Sequence, residues 1–349
     1  MAITLSSVPK KICILRLSAL GDISHTLPVV RTLQKQWPDT KITWVIGKQE
    51  HQLVGDIPDI EFIIFDKKEG LAAYKKLRQQ MRGRHFDVLL HMQMSIRASL
   101  ASLLIPARIK LGFDKQRAKD LQWLFTNHKI AYKPKQHVID SFFGFTEALG
   151  IEEHLLEWNI PIPDEARKHA DQALNTDKKI LVISPCSSMS YRNWTAEGYA
   201  AVADYAIEQH DMLVVLCGGP SVIELEYGEK IADLSHHKPL NLIGQTSIKQ
   251  LLAILAKADV VIAPDSGPAH LATAVGTAVI GLYACTNPDR ARPYLDANLV
   301  VSKYQAAVTA KYDKGIDELP WGIRVRDAGT MVRICPMDVT RKLDHAMAL

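Results

Sequence analysis

Short apolar runs alternate with segments of helical periodicity along almost the whole chain. Residues 11–17, Lys-Ile-Cys-Ile-Leu-Arg-Leu, read as a buried strand. Residues 23–37 then place Leu27, Val30 and Leu33 on one helical face. Strands follow at 41–46 and 60–65, a helix at 74–82, a strand at 87–92 and a helix at 95–104. Residues 158–164 break the pattern, because Pro161 and Pro163 suit an extended linker rather than a helix or central strand. Strands restart at 179–184, 212–217, 241–243, 259–263 and 279–283, with helices at 195–209, 221–234, 248–257 and 271–275. The tail from 337 to 349 reads as a helix. Such alternation is the signature of parallel sheets wrapped by helices. The fold class is therefore α/β, with two doubly wound domains over 1–160 and 161–349 and an active site expected in the cleft between them.

Length and composition agree with that reading. A chain of 349 residues is too long for one ordinary domain. Hydrophobic content of 47% against 23% charged residues is ordinary for a soluble globular protein. The longest apolar candidate for a membrane span, 269–285, is interrupted by His270, Gly276 and Gly281. Residues 1–11 lack the apolar core of a signal peptide. The five cysteines are scattered without a Cys-x-x-Cys pair, so buried free thiols in a reducing cytoplasm are expected.

The net charge of +4 is unevenly placed. Lys67, Lys68, Lys75, Lys76, Arg78, Arg82 and Arg84 form one basic group, and Arg108, Lys110, Lys115, Arg117 and Lys119 a second. Either is a solvated face, or a field that attracts an anionic partner or anionic lipid. Nucleic acid is not expected, because no aromatics interleave with these charges and no known binding motif is present.

Candidate chemistry gathers where strands end. The stretch Ala263-Pro264-Asp265-Ser266-Gly267-Pro268-Ala269-His270 lies between a strand and a helix, with Pro268 expected at the first helical position. Free N–H groups and the positive dipole end of a helix favour phosphate there. Asp265 would repel it, so the acid belongs on a sugar hydroxyl or must be shielded. Ser187, Ser188 and Arg192 follow another strand end and suit a diphosphate, unless they form a plain polar loop. Gly218 and Gly219 allow close backbone approach to a ligand, or simply a turn. After the first strand, Asp22 is either a helix cap or a carboxylate that takes a proton from an attacking hydroxyl. His25 is a second candidate base, though a packed core histidine is the plainer role. There is no metal-ligand motif, no Walker A, no Gly-x-Ser-x-Gly elbow and no dinucleotide fingerprint.

Three segments together carry a resemblance: Ser18-Ala19-Leu20-Gly21-Asp22-Ile23-Ser24-His25, the loop from Ser187-Ser188 to Trp194, and Asp265-Ser266-Gly267-Pro268-Ala269-His270. Over nearly its whole length the chain resembles the lipopolysaccharide heptosyltransferases of glycosyltransferase family 9, inverting enzymes of the GT-B fold, and is most similar to the type that adds heptose to Kdo. The resemblance implies two Rossmann-like domains, with an ADP-heptose donor held by the C-terminal half. The acceptor it implies is Kdo-lipid A, held by the N-terminal half at the cytoplasmic face of the inner membrane. It implies no cofactor and no metal. Asp22 matches the family's base. Ser187 and Ser188 match a hydroxyl pair at the diphosphate, where threonines are usual, and Arg192 stands where a lysine is usual. Asp265, Ser266, Gly267 and His270 match the family's Asp-[Ser/Thr]-Gly-x-x-His segment at the donor. Lys119 matches a basic residue of the acceptor half, and Lys115 and Arg117 lie beside it. The chain departs at Gly218-Gly219-Pro220-Ser221, where relatives of the first heptosyltransferase type carry a glutamate near Ser221 that helps hold the donor's sugars. Two rivals remain at this point: a GT-B glycosyltransferase or epimerase using another nucleotide sugar, and a non-catalytic nucleotide-binding module.

Overall fold

A computed structural model describes residues 3, 5 and 7–348. The chain separates into two compact units, Met1–Pro161 and Ile162–Leu349. In the first, the order is β1 (Lys11–Leu15), α1 (Leu20–Gln36), β2 (Lys41–Gly47), α2 (Lys48–Val54), β3 (Ile60–Phe65), α3 (Leu71–Gln80), β4 (Phe86–His91), α4 (Ile96–Leu103), β5 (Ala107–Gly112), β6 (His128–Lys129) and α5 (Val138–Ala148). These strands form one six-stranded sheet in the order β3-β2-β1-β4-β5-β6, with every pairing parallel.

In the second unit the order is α6 (Asp164–Ala173), β7 (Ile180–Ile183), α7 (Ala196–His210), β8 (Leu213–Leu216), α8 (Val222–Leu234), β9 (Leu240–Asn241), α9 (Ile248–Lys257), β10 (Val260–Pro264), α10 (Gly267–Ala274), β11 (Ala278–Tyr283), α11 (Pro288–Ala291), β12 (Val301–Ser302), α12 (Tyr304–Tyr312) and α13 (Pro336–Ala348). Its sheet is again six-stranded and parallel, in the order β12-β11-β10-β7-β8-β9. Residues of α13 enter the core of this unit through Val339 and Leu343, and the helix packs on α7.

Each sheet changes direction once. The chain winds from β1 outward to β3, returns to β4 and then winds the other way. It does the same from β7 to β9 and back to β10. Ligands of open α/β sheets bind at such switch points, outside the carboxyl ends of the strands. The crevices lie between β1 and β4 in one unit and between β7 and β10 in the other. Right-handed crossovers put α3 and α4 on one face of the first sheet, where Ala73, Leu77, Ala98 and Ala101 pack over Cys13, Leu15, Val45 and Leu89. On the other side α1 packs against α5.

The pattern of apolar positions locates most strands to within a residue or two, but it misses the helices α2, α6, α11 and α12 and the two-residue strands β6 and β12 and is corrected at other points too. Helix α10 starts at Gly267 rather than Leu271, because Ser266 has the extended backbone of an N-cap. Pro268 is therefore the second helical residue, where its missing N–H is still harmless. Strand β5 is absent from the sequence reading because Arg108 and Lys110 alternate with Ile109 and Leu111, and those two cations were grouped with a basic cluster. Helix α5 is also absent from it. Cys13, Cys186, Cys217 and Cys285 are buried free thiols, and Cys335 is exposed.

Candidate active site

In the first unit, Arg16 follows β1 and lies at the switch between β1 and β4. It is buried, yet its guanidinium reaches both sides of the crevice. Nη1 donates to the Met92 carbonyl beyond β4, and Nη2 pairs with Asp22 Oδ2. The guanidinium also lies 5.4 Å from the centre of the Phe142 ring. Gln93 closes the same crevice, accepting from the Leu17 N–H at 2.6 Å and donating to Ser18 Oγ at 3.2 Å. Gln122, fully buried, donates to the His91 and Gln93 carbonyls and accepts from the Phe113 N–H at 3.1 Å, which ties the loop after β5 to the end of β4.

Asp22 occupies the first turn of α1. Its Oδ2 also accepts from the Ala19 N–H at 3.4 Å, so it does part of a cap's work as well. Both contacts use Oδ2, and Oδ1 has no partner among the described residues. The Asp22 side chain is 40% exposed against 8% for Arg16, so the acid is reachable while its anchor is not. A positioned carboxylate with one uncommitted oxygen is what a general base requires. His25 is 4% exposed and packs edge-on to His137 and Phe142, the environment of a core histidine. Glu50 is a second buried acid near this edge. Burial pushes its carboxyl up, and Lys67 and Arg16 partly counter that.

The second unit repeats the arrangement between β7 and β10. Arg192, on the loop after β7, donates from Nη1 to the Asp265 carbonyl at 3.1 Å and pairs with Asp265 Oδ2 at 3.2 Å. His270 Nε2 lies 3.8 Å from Asp265 Oδ1. Burial pushes the Asp265 carboxyl up, but the neighbouring His270, Arg192 and Thr286 outweigh it. The group is held below the ordinary value of 3.8. Of the two places expected for this acid, the shielded one describes the geometry: its charge is neutralised within the unit. Beside it, Ser266 Oγ is buried and has no hydrogen-bond partner among the described residues, and neither has Arg192 Nε. Buried polar atoms in native folds are normally satisfied, so these two donors point to a ligand or water. Ser187 is held by its N–H to Asn193 Oδ1 at 2.8 Å, and its Oγ accepts from the Met189 N–H at 3.2 Å. Ser188 is exposed. The N–H groups at the start of α10 open on the same edge.

Three residues of these crevices escape sequence reasoning. Arg16 is hidden inside an apolar strand run, where a lone cation is the only signal. Gln122 sits in a polar stretch with no motif. The third, Glu224, corrects the expectation that no glutamate stands near Ser221. Its carboxylate returns to accept from the Gly219 N–H, and Ser221 Oγ donates to Oε1 at 3.1 Å. Serine followed three positions later by glutamate is the sequence pattern of a capping box, which could have signalled a carboxylate turned back on the loop.

The second basic cluster dissolves into separate roles. Lys110 turns inward to donate to the Ser102 carbonyl at 2.7 Å. Arg117 spends its guanidinium inside its own unit, on Asp114, Gln136, Ser141 and the Ala131 carbonyl. Lys115 and Lys119 are exposed, Lys115 lying 5.4 Å from the Trp123 ring centre. Among the described residues, no group of three or more His, Cys, Asp and Glu side chains is placed to hold a metal ion.

Two parallel α/β units, each with a polar crevice at its switch point, match the GT-B fold, and the comparisons agree. The profile of glycosyltransferase family 9 (heptosyltransferase) matches residues 74–319. The lipopolysaccharide core heptosyltransferase OpsX of Haemophilus influenzae is 44% identical over 329 residues, covering 94% of both chains. Among solved structures, a family 9 glycosyltransferase from Veillonella parvula superimposes with a TM-score of 0.79 at 23% identity, covering 97% of each chain. The E. coli heptosyltransferase WaaC, solved with ADP, gives 0.70 at 18% identity, covering 96% of this chain and 99% of that one. The chain belongs to glycosyltransferase family 9, the heptosyltransferases.

The Asp265 arrangement has a pH signature. A carboxyl whose pKa is depressed by folding contributes stability that is full above its unfolded value, ordinarily 3.8, and is lost as the pH falls through the depressed folded value. Asp265→Asn leaves Arg192 buried without its counter-charge and should cost about 3–5 kcal/mol at pH 7. Urea unfolding checks this. The gap between wild type and variant should narrow as the pH drops below 3.8, and a constant gap down to full protonation would exclude the electrostatic account.

Proposed function

We propose that this transferase moves heptose from ADP-heptose to a Kdo sugar of the lipopolysaccharide inner core, with inversion at the anomeric carbon. Family membership supports heptose transfer, and the WaaC neighbour binds ADP. The observation that carries the mechanism is Asp22, anchored through Oδ2 by a buried arginine and open at Oδ1. In this reading the acceptor hydroxyl attacks the anomeric carbon and forms the new C–O bond. The bond to the diphosphate breaks, ADP leaves with the electron pair, and the hydroxyl proton passes to Asp22 Oδ1. The N–H groups opening α10, together with Ser187, Ser188, Ser266 and Arg192, take up charge on the leaving diphosphate. Asp265, Gly267 and His270 form the rest of the donor site. Asp265 holds Arg192 in place, and Gly267 lets the donor approach the backbone. The acceptor's anionic groups meet Lys115 and Lys119, with Arg117 ordering the loop that carries them, at the cytoplasmic face of the inner membrane.

Each role has its own test. Asp22→Asn retains size and capping ability but cannot take the proton. Transfer should fall by about 10²–10⁴ while ADP affinity holds; a variant retaining more than about a tenth of the rate removes Asp22 from the base role.

Arg192→Ala should weaken ADP binding by about 1.5–3 kcal/mol in calorimetry, the range for a hydrogen bond to a charged group. Normal ADP affinity would take Arg192 off the diphosphate. EDTA should leave turnover intact, and a strict metal requirement would refute the scheme.

For the acceptor side, Lys115→Ala with Lys119→Ala should raise the acceptor's KM and spare donor binding, more so at low salt because screening acts beyond about 10 Å at 0.1 M. Unchanged acceptor kinetics would return these lysines to a solvated face. Activity with a UDP-sugar in place of ADP-heptose would favour the rival nucleotide-sugar enzyme, and nucleotide binding without any transfer the non-catalytic module.

A further inference from the structure

Helix α4 is built inside out. Its inward face is small and hydroxylic, with Ala98, Ser99, Ala101 and Ser102 buried. Its outward face carries Ile96, Leu100 and Leu103, spaced as a stripe along one side and 49%, 44% and 59% exposed. A surface helix normally turns its branched aliphatics to the core. Beside it lies α3, on the same face of the sheet, tied to α4 by Tyr74 Oη donating to the Arg97 carbonyl at 3.2 Å. Leu71, at the start of α3, is 80% exposed.

The charge around this apolar surface is mostly positive, and the two acids just ahead of Leu71, Asp66 and Glu69, are paired with Lys48 and Lys76. Residues 70–113 contain Lys75, Lys76, Arg78, Arg82, Arg84, Arg97, Arg108 and Lys110 against a single acid, Asp87. That acid is occupied by the backbone N–H groups of Lys10 and Lys11. Arg84 is paired with Glu61, Lys76 with Glu69, and Lys110 is turned inward. Lys75, Arg78, Arg82 and Arg97 are exposed on or next to α3 and α4, with Lys67 and Lys68 just ahead of Leu71. No helix among the described residues is long and apolar enough to cross a membrane.

We propose that the α3–α4 face docks on an anionic phospholipid bilayer. Leu71, Ile96, Leu100 and Leu103 enter the headgroup–acyl boundary, and the surrounding cations contact lipid phosphates. Exposed aliphatics ringed by cations suit this surface, since apolar burial and attraction to anionic headgroups then act together. The proposal rests on the membrane-associated acceptor of the functional reading for its location, but the docking itself needs no catalysis.

Sedimentation with vesicles tests it. The full chain should bind vesicles of equal parts phosphatidylglycerol and phosphatidylcholine about tenfold or more tighter than pure phosphatidylcholine, and added salt should release it. Lys75→Glu with Arg78→Glu should cut binding by about tenfold or more. Leu100→Ser with Leu103→Ser should cut it by about tenfold even at low salt, with circular dichroism unchanged. Equal binding to both vesicle types, or unaltered binding by either variant, overturns the proposal. So does a wild-type dimer that the leucine variant dissociates, because a second copy would then be the occupant. Transfer to a deacylated, soluble Kdo acceptor should be unaffected in the leucine variant. Absence of that transfer in the wild type counts against the functional reading alone, since vesicle binding is scored without it.

Discussion

One buried guanidinium organises each switch point. Removing an arginine from water costs several kcal/mol unless its donors and charge are matched. In the first unit Arg16 meets most of that cost with the Met92 carbonyl, the Asp22 carboxylate and the face of Phe142, and only its Nε has no partner among the described residues. The consequence is geometric. The ends of β1 and β4 are fastened to each other, and the first turn of α1 is fixed relative to both. Asp22 therefore presents one particular oxygen outward, not a freely rotating carboxylate. Preorganisation of this kind lets a weak base act without a reorganisation cost in the transition state.

The second unit solves the same problem with both partners buried. There Asp265 and Arg192 are buried to the same degree, and His270 and Thr286 lie beside the acid. A carboxylate at the start of a helix would spoil an anion site if its charge stood bare. Neutralised, it becomes a brace that holds a guanidinium and a histidine beside the free N–H groups of α10. Ser266 Oγ and Arg192 Nε are left over from this arrangement, both buried and both without partners among the described residues. Donors of that kind, next to a helix N-terminus, suit a phosphate better than any other common ligand.

Much of this was legible in the chain. Strands such as 41–46 and 179–184 stood out because parallel strands are buried on both faces and read as continuous apolar runs. The segments Ser187–Arg192 and Asp265–His270 stood out because polar residues directly after a buried strand have few structural reasons to be there. Other features were hidden for physical reasons. Strand order depends on long-range pairing, so nothing local revealed that β7 and β10 are neighbours. Strand β5 was masked by Arg108 and Lys110, whose long stems can cover apolar surface while their charged ends seek partners elsewhere. Arg16 looked like an interruption in a strand, although it is the residue that fixes Asp22. Arg117 looked like a charge offered to a ligand, although its guanidinium is bonded to Asp114, Gln136, Ser141 and the Ala131 carbonyl of its own unit.

The central claim is that Asp22-assisted direct displacement transfers heptose from ADP-heptose to Kdo. Its most direct test is proton NMR of the product formed from ADP-heptose and Kdo-lipid A, with ADP release followed in parallel. The account predicts one ADP released per new glycosidic bond and a heptose whose anomeric configuration is opposite to that in the donor. Retained configuration, or ADP release without a new bond to Kdo, would contradict it.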